Sequence, residues 1–110
     1  MKRETLGKSE FVVMSVLARK PSGAHGTALL EELAKATGRE MSVGALYTTL
    51  ERLESKGYVS SAWGEPTPQR GGRRKRNFKV EAPGHRALHD TIQMFNLLYP
   101  TPAGLKPMEA

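Results

Sequence analysis

The sequence predicts an α+β fold that is mainly helical and contains one small β-hairpin. Three short amphipathic helices occupy roughly residues 5–57, two strand-like segments follow, and a fourth helix reaches about residue 99. A chain of 110 residues suffices for one domain that buries about 65% of its unfolded surface. Because the chain has no cysteine, disulfides, Cys-based zinc sites and thiol catalysis are excluded.

The first two helices are predicted from their apolar spacing and their end signals. Thr5 is the expected N-cap of a helix that reaches about Arg19 and is apolar on more than one face. Such a helix is buried on two sides. The Pro-Ser-Gly segment at 21–23 breaks it. The second helix begins near Gly26, carries one leucine-rich stripe and ends at Gly38, a C-terminal cap.

The third helix combines a packing stripe with an outer face that begins with small residues. Ser42 is its predicted N-cap, and Gly57 ends it. The stripe recurs at helical spacing and consists of Val43, Leu46, Leu50 and Leu53. The opposite face carries Gly44, Tyr47, Thr48, Arg52, Ser55 and Lys56. Small residues in the first turn permit close approach to base pairs, and longer polar side chains can reach bases or phosphates.

A hairpin with a strongly basic tip follows. Residues 58–63 and 77–80 favour strand, and the prolines and glycines between them predict a long tip. Residues 69–79 include six basic residues and no acidic one, so this segment carries the whole net charge of +6. A merely solvated loop usually mixes its signs, so this charge indicates a polyanionic partner such as a phosphate backbone. We expect Trp63 to pack the first strand onto the body.

The fourth helix is predicted from Pro83 to Tyr99. Its a/d-like seam consists of Leu88, Ile92, Phe95 and Tyr99. A helix of this length spans only about 24 Å, too short for an independent coiled coil. The seam therefore predicts packing against a second copy of the chain, or alternatively cover for its own domain. Residues 100–110 are rich in proline and are expected to be extended or disordered.

Three short helices followed by a β-hairpin form the layout of a winged helix-turn-helix, in which the third helix enters the DNA major groove. Residues 1–82 are the expected DNA-binding domain and 83–99 the expected dimerisation helix, so double-stranded DNA and a second copy are the expected partners. An RNA-binding or ribosome-associated module is the alternative, since basic loops occur there too, but it gives no reason for the seam. The predicted DNA-binding residues are Ser42, Gly44, Tyr47, Thr48, Arg52, Arg70, Gly71, Gly72, Arg73, Arg74 and Lys75.

The sequence at 42–59, the Gly-Gly-Arg at 71–73 and Gly84 resemble the core signature of the PadR family of winged-helix transcriptional regulators. The resemblance spans about residues 5–99. It implies a homodimeric repressor whose wing and third helix occupy an operator and whose C-terminal helix dimerises. It also implies that Tyr47 contacts the DNA backbone.

Some members of the family that the chain resembles bind flat aromatic compounds at the dimer interface. By that resemblance, a candidate pocket for a small aromatic effector is formed by Met14, Met94, Phe95 and Tyr99. The alternative is ordinary interface packing.

Other kinds of site are not indicated. His85 and His89 have a spacing that can hold a metal, but a third ligand is lacking, so we predict no metal and no cofactor. Neither a catalytic arrangement nor a phosphate-binding loop is found, so an enzyme is not expected. We also expect a cytoplasmic protein without a membrane partner, because a signal peptide and an apolar run of about 18 residues are both missing.

Overall fold

The computed structural model describes residues 5–64 and 75–99. Within these ranges the chain forms four helices and three strands, in the order α1 (Lys8–Leu17), β1 (Ala24–His25), α2 (Gly26–Thr37), α3 (Val43–Ser55), β2 (Val59–Trp63), β3 (Arg76–Val80) and α4 (Ala82–Leu98). The strands form one antiparallel sheet in the order β1-β3-β2. The predicted α+β winged-helix architecture is confirmed.

Strand β1 is the element that the sequence pattern does not predict. It pairs Ala24 with Phe78 and His25 with Asn77. It therefore attaches the start of α2 to the wing, which is the hairpin that contains β2 and β3. Gly23 precedes it with a φ of +87°, and a Cβ there would lie 2.6 Å from the Phe78 carbonyl oxygen. A strand of two residues has no periodicity to detect, and only its partner strand defines it.

The ends of α2 and α3 follow the local signals. Gly38 ends α2 with a left-handed φ of +71°. Ser42 caps α3, because its hydroxyl accepts a hydrogen bond from the Ala45 N–H at 3.0 Å. Gly57 then turns the chain out of α3 with a φ of +78°.

The predicted start of α1 at Thr5 is wrong. Helix α1 begins at Lys8, and its N-cap is Gly7. The Glu10 carboxylate accepts a hydrogen bond from the Gly7 N–H at 2.9 Å, which satisfies one of the backbone donors of the first turn. Glu10, the third residue of the helix, therefore stabilises the helix start in place of the predicted N-cap, Thr5.

The core lies between the helices and the sheet, and leucines anchor α3 in it. Leu46, Leu50 and Leu53 have no exposed surface. Val43 is 57% exposed, so its place in the predicted stripe is wrong. A helical side chain points toward the N-terminus, and at the first helical position this directs Val43 past the body rather than into it.

Trp63 does not pack β2 onto the body, contrary to the prediction. Its side chain is 58% exposed, whereas Val59 on the same face of the strand is buried. Burial falls steadily from Val59 to Trp63 because the hairpin extends away from the helices. Strand alternation therefore identifies which face of β2 points toward the core, but it does not show how far along the strand the core extends.

The first half of α4 is part of the core. A Cβ at Gly84 would overlap the Tyr58 carbonyl oxygen and lie 2.9 Å from the Met14 side chain, so glycine permits close packing of the helix start. Thr91 is fully buried, and its hydroxyl accepts a hydrogen bond from the Leu6 N–H at 3.0 Å. Among the described residues, no helix combines the length and apolarity needed to cross a membrane.

Candidate nucleic-acid interface

The first turn of α3 is exposed on the surface of the protein. Ser42, Val43, Gly44 and Ala45 are all exposed, and a Cβ built at Gly44 meets nothing within 4 Å. Farther along the helix, Thr48 and Arg52 are exposed as well. The predicted outer face is thus accessible from its first turn onward, while the buried leucines fix the helix behind it.

Tyr47 is half-buried and held in one place by two neighbours. Its ring packs edge-on against Phe78 of β3, with centroids 6.0 Å apart and an interplanar angle of 64°. Its hydroxyl lies over Gly26, where a Cβ would overlap it. Gly26 therefore permits the tyrosine of α3 to reach the first residue of α2.

A cleft of about 300 Å³ opens beside the Tyr47 hydroxyl, and we call it the wing cleft. Its lining comes from the start of α2, from α3 and from the base of the wing: His25, Gly26, Thr27, Tyr47, Trp63, Lys75 and Arg76. His25 is the N-cap of α2 but makes no side-chain capping hydrogen bond. Its Nδ1 instead lies 3.4 Å from the Arg76 carbonyl oxygen. The α2 N-terminus and the Lys75 side chain make this cleft favourable for an anionic group.

Sequence reasoning missed His25, Gly26 and Thr27 as residues of this surface. Their segment has neither a charge pattern nor a recognisable motif. The one local signal is Gly26, a residue with low helix propensity at a helix start. Glycine is needed at this position because the Tyr47 side chain occupies the space of a Cβ, and Tyr47 is distant in the sequence.

Arg76 belongs to the basic run, yet it is bound within the protein. Its Nη2 donates to Glu54 Oε1 at 2.6 Å, and its Nε donates to Ser61 Oγ at 3.0 Å. The Ser61 hydroxyl in turn donates to the other Glu54 oxygen at 2.7 Å. We call these three side chains the wing clamp, because they connect the last turn of α3 to both strands of the wing.

A second ion pair fixes α3 from the other side. Lys56 donates to Glu10 Oε2 at 2.7 Å, and Glu10 is 5% exposed. Burial alone raises the pKa of Glu10. Hydrogen bonds from Lys56 and from the Gly7 N–H outweigh that effect, so the pKa is lowered from its ordinary value of 4.5. The beginning of α1 is thereby joined to the end of α3.

The predicted residues of the wing tip, Arg70, Gly71, Gly72, Arg73 and Arg74, lie outside the described residues. Lys75 is described; it is exposed and lines the wing cleft.

The predicted seam on α4 is divided between the core and the surface. Leu88 and Ile92 are only 8% and 5% exposed and pack inside their own chain. Phe95 is half-buried, and its ring packs edge-on against Phe11 with centroids 5.2 Å apart. The large apolar side chains that remain exposed on this helix are at its end, Leu97, Leu98 and Tyr99.

Met14 does not belong to a surface pocket with Tyr99, contrary to the prediction. It is fully buried and lies beside Gly84 at the start of α4, whereas Tyr99 is exposed at the other end of that helix. Met94 and Phe95 are half-buried near that end. Within the described ranges, no group of three potential metal ligands occurs.

The solved structures that share this fold include three transcription regulators. A PadR family transcription regulator from Clostridium difficile R20291 is 23% identical with a TM-score of 0.68, and the match covers 84% of this chain and 91% of that chain. A PadR family transcriptional regulator from Eggerthella lenta DSM 2243 is 28% identical with a TM-score of 0.67, covering 82% and 76%. A transcriptional regulator from Clostridium thermocellum is 20% identical with a TM-score of 0.69, covering 81% and 83%.

Sequence comparison identifies the family. No curated protein gives a significant match to the chain. The family model described as the transcriptional regulator PadR-like family matches residues 13–90, which include α2, α3, the sheet and the buried first half of α4. Members of this family are transcription regulators rather than enzymes. Because the match extends over most of the length of this chain, the chain belongs to the PadR-like family of transcriptional regulators.

Proposed function

We propose that this protein is a sequence-specific DNA-binding repressor that acts as a homodimer by occupying its operator in the cytoplasm. The observation that carries the proposal is the exposed first turn of α3, fixed by buried leucines beside a wing that bears the net charge. A helix presented in this way fits the major groove, and a basic wing fits the flanking phosphates.

The proposed contacts divide into two classes. Thr48 and Arg52 reach base edges, and the small side chains of the first turn, with Gly44 at the centre, permit close approach. Tyr47 and Lys75 contact the DNA backbone, and the residues of the tip, Arg70, Gly71, Gly72, Arg73 and Arg74, contact phosphates or the minor groove. Backbone contacts set the position of the protein, and base contacts set its sequence preference.

The proposed dimer is formed through the exposed end of α4. Leu97, Leu98 and Tyr99 form an apolar surface that a second copy would cover. Two-fold pairing would present two copies of α3 to half-sites about 10 base pairs apart. A regulator bound in this way represses by excluding other proteins from the same DNA.

The same end of α4 supports a further proposal, that a small aromatic effector relieves repression. Phe95 and Tyr99 offer aromatic faces, and Met94 directly precedes Phe95 in the sequence. Planar aromatic compounds should then raise the melting temperature of the protein, and Phe95→Ala should abolish that shift.

The proposed function is tested by selecting duplexes from a random pool and measuring the affinity of the purified protein by fluorescence anisotropy near physiological salt. A selected duplex should bind about a thousandfold more tightly than a scrambled duplex of the same composition. If selection enriches no motif and all duplexes bind equally, the protein is not a sequence-specific regulator. Tighter binding to an RNA hairpin than to any duplex would favour the RNA-binding alternative.

A further inference from the structure

Trp63 is an exposed aromatic side chain in the wing cleft, and the fold gives it no packing role. It is the only tryptophan of the chain, and its side chain is 58% exposed at the last position of β2. An indole buries a large apolar area when it finds a partner. It lines the cleft together with Tyr47 of α3 and Lys75 of the wing, so DNA that contacts both of these residues would lie close to it.

One cation–π contact restricts the motion of the indole. The Arg76 guanidinium lies 5.8 Å from the centroid of the indole ring, within range of a cation–π interaction. That guanidinium is itself fixed by Glu54 and Ser61 in the wing clamp. A side chain whose motion is already restricted loses less conformational entropy when it makes a contact.

We propose that the Trp63 indole packs against a deoxyribose of the operator duplex, next to the phosphate that Lys75 neutralises. The carbon atoms of the sugar are the apolar part of a DNA backbone, and the flat faces of the bases, on which an indole could stack, are covered by their neighbours in an intact duplex. The positive charge of the cleft rim attracts the adjacent phosphates. This inference rests on the proposed function and adds an apolar backbone contact to it.

An apolar contact and an ionic contact differ in their dependence on salt. Neutralising one phosphate-contacting lysine reduces the slope of log affinity against log salt concentration by about one unit. Loss of an indole that packs on a sugar weakens binding but leaves this slope unchanged, since it releases no counterion. The loss is also the same for every duplex sequence, because the sugar carries no sequence information.

The test compares the wild type, Trp63→Leu, Trp63→Phe and Lys75→Ala on the selected duplex, at salt concentrations from about 50 to 200 mM. Trp63→Leu should weaken binding roughly tenfold with an unchanged salt slope. Trp63→Phe should retain part of the affinity, and Lys75→Ala should reduce the slope. Because Trp63 is exposed, both Trp63 variants should keep the wild-type melting temperature, which verifies that they fold.

The fluorescence of the single tryptophan provides a second test. In the wild-type complex with duplex, its emission should shift to shorter wavelength, and acrylamide should quench it less than in the free protein. If Trp63→Leu binds as tightly as the wild type, or acrylamide reaches the indole equally in the complex, this inference is overturned and the proposed function stands. Stronger protection by single-stranded DNA than by the duplex would also overturn it. If the wild type binds no duplex, both proposals fall.

Discussion

At the scale of single residues, two glycines show how differently the same residue type is used in this protein. A Cβ at Gly84 would overlap the Tyr58 carbonyl oxygen, so the residue is required where α4 packs on the chain. Gly44 has open space around it and lies in the exposed first turn of α3. Packing therefore explains Gly84, and the proposed approach to DNA explains Gly44.

Gly44→Ala is expected to affect stability and binding in opposite directions. Alanine has the higher helix propensity and meets no neighbour, so the free energy of unfolding should rise by up to about 1 kcal/mol. The added methyl group stands on the face that approaches base pairs, so operator affinity should fall. Denaturant unfolding and fluorescence anisotropy measure the two effects.

The control is Gly84→Ala, which should lower the free energy of unfolding by about 1–3 kcal/mol through overpacking against Tyr58. Where it remains folded, it should bind the operator with wild-type affinity. Undiminished operator affinity in Gly44→Ala would contradict a close approach of this turn to DNA.

At the scale of elements, the position of α3 is set at both sides by charged side chains. Glu10 of α1 binds Lys56 directly after the helix, and Glu54 in its last turn binds Arg76 of β3. Buried leucines hold the helix onto the core, but a leucine contact tolerates sliding better than a short hydrogen bond does. The two ion pairs therefore define the angle between α3, α1 and the wing.

The Glu10 pair predicts a dependence of stability on pH. The pKa of Glu10 is lowered in the folded state, so its contribution is complete above the ordinary value of 4.5 and is lost as pH falls through the folded-state pKa. Denaturant unfolding between about pH 6 and pH 3 should show this loss. Glu10→Gln should lower stability by about 1–2 kcal/mol at neutral pH and weaken the pH dependence. Glu31→Gln, a change on the exposed face of α2, should leave the dependence unaltered.

The wing clamp predicts an effect opposite to simple electrostatics. Glu54→Ala removes a negative charge near the proposed DNA site, which by charge alone should strengthen binding. It also leaves Arg76 without its carboxylate, so the wing base loses its fixed angle to α3 and operator affinity should fall several-fold. Anisotropy titrations measure the change.

Glu51→Ala is the matched control for Glu54→Ala. It removes the same charge from an exposed position of α3 and should bind the operator as well as the wild type or better. Equal affinity gains in the two variants would show that the clamp does not position the wing.

At the scale of the whole molecule, the net charge belongs to the wing, whereas the most exposed of the large apolar side chains that the structure describes belong to the end of α4. The basic run of the wing carries the net charge of +6, and the exposed apolar side chains of α4 are at its end. The Leu88 and Ile92 side chains, which share the helical spacing of Phe95, are covered by their own chain. The apolar surface of α4 that the proposed dimer would use is thus the last turn of the helix rather than its full length.

Leu98→Glu should convert the proposed dimer into a monomer and weaken operator binding, because a charge would replace an apolar side chain that is 74% exposed in the single chain. Light scattering at micromolar concentration measures the mass. Gln93→Glu places the same charge at another exposed position of α4 and should remain dimeric. A monomeric wild type would contradict the proposed dimer.

Local features of the fold and of the candidate site could be predicted from the sequence. The caps at Ser42 and Gly38 depend on residues within one turn of the helix end, and the burial of Leu46, Leu50 and Leu53 follows from helical period. The family signature covers the same region, and its match is confirmed over residues 13–90.

Other features depended on what each segment meets in space. Helical spacing placed Val43 with the leucines, and strand alternation placed Trp63 with Val59. Val43 and Trp63 are nevertheless exposed, because both lie beyond the edge of the core. Strand β1 exists only through its pairing with β3. Likewise, the basic run gave no sign that Glu54 neutralises Arg76, because these residues are 22 positions apart.

The sequence by itself determined the class of fold, the exposed outer face of α3 and the positive sign of the charge in the wing beside it. These properties come from periodicity, capping and composition, which act over a few residues. Only the tertiary structure decided which apolar side chains are covered and which cations remain available for DNA. Burial and ion pairing depend on neighbours that are distant in the chain, and Trp63 and Arg76 acquired their surroundings only when the wing was placed against α3.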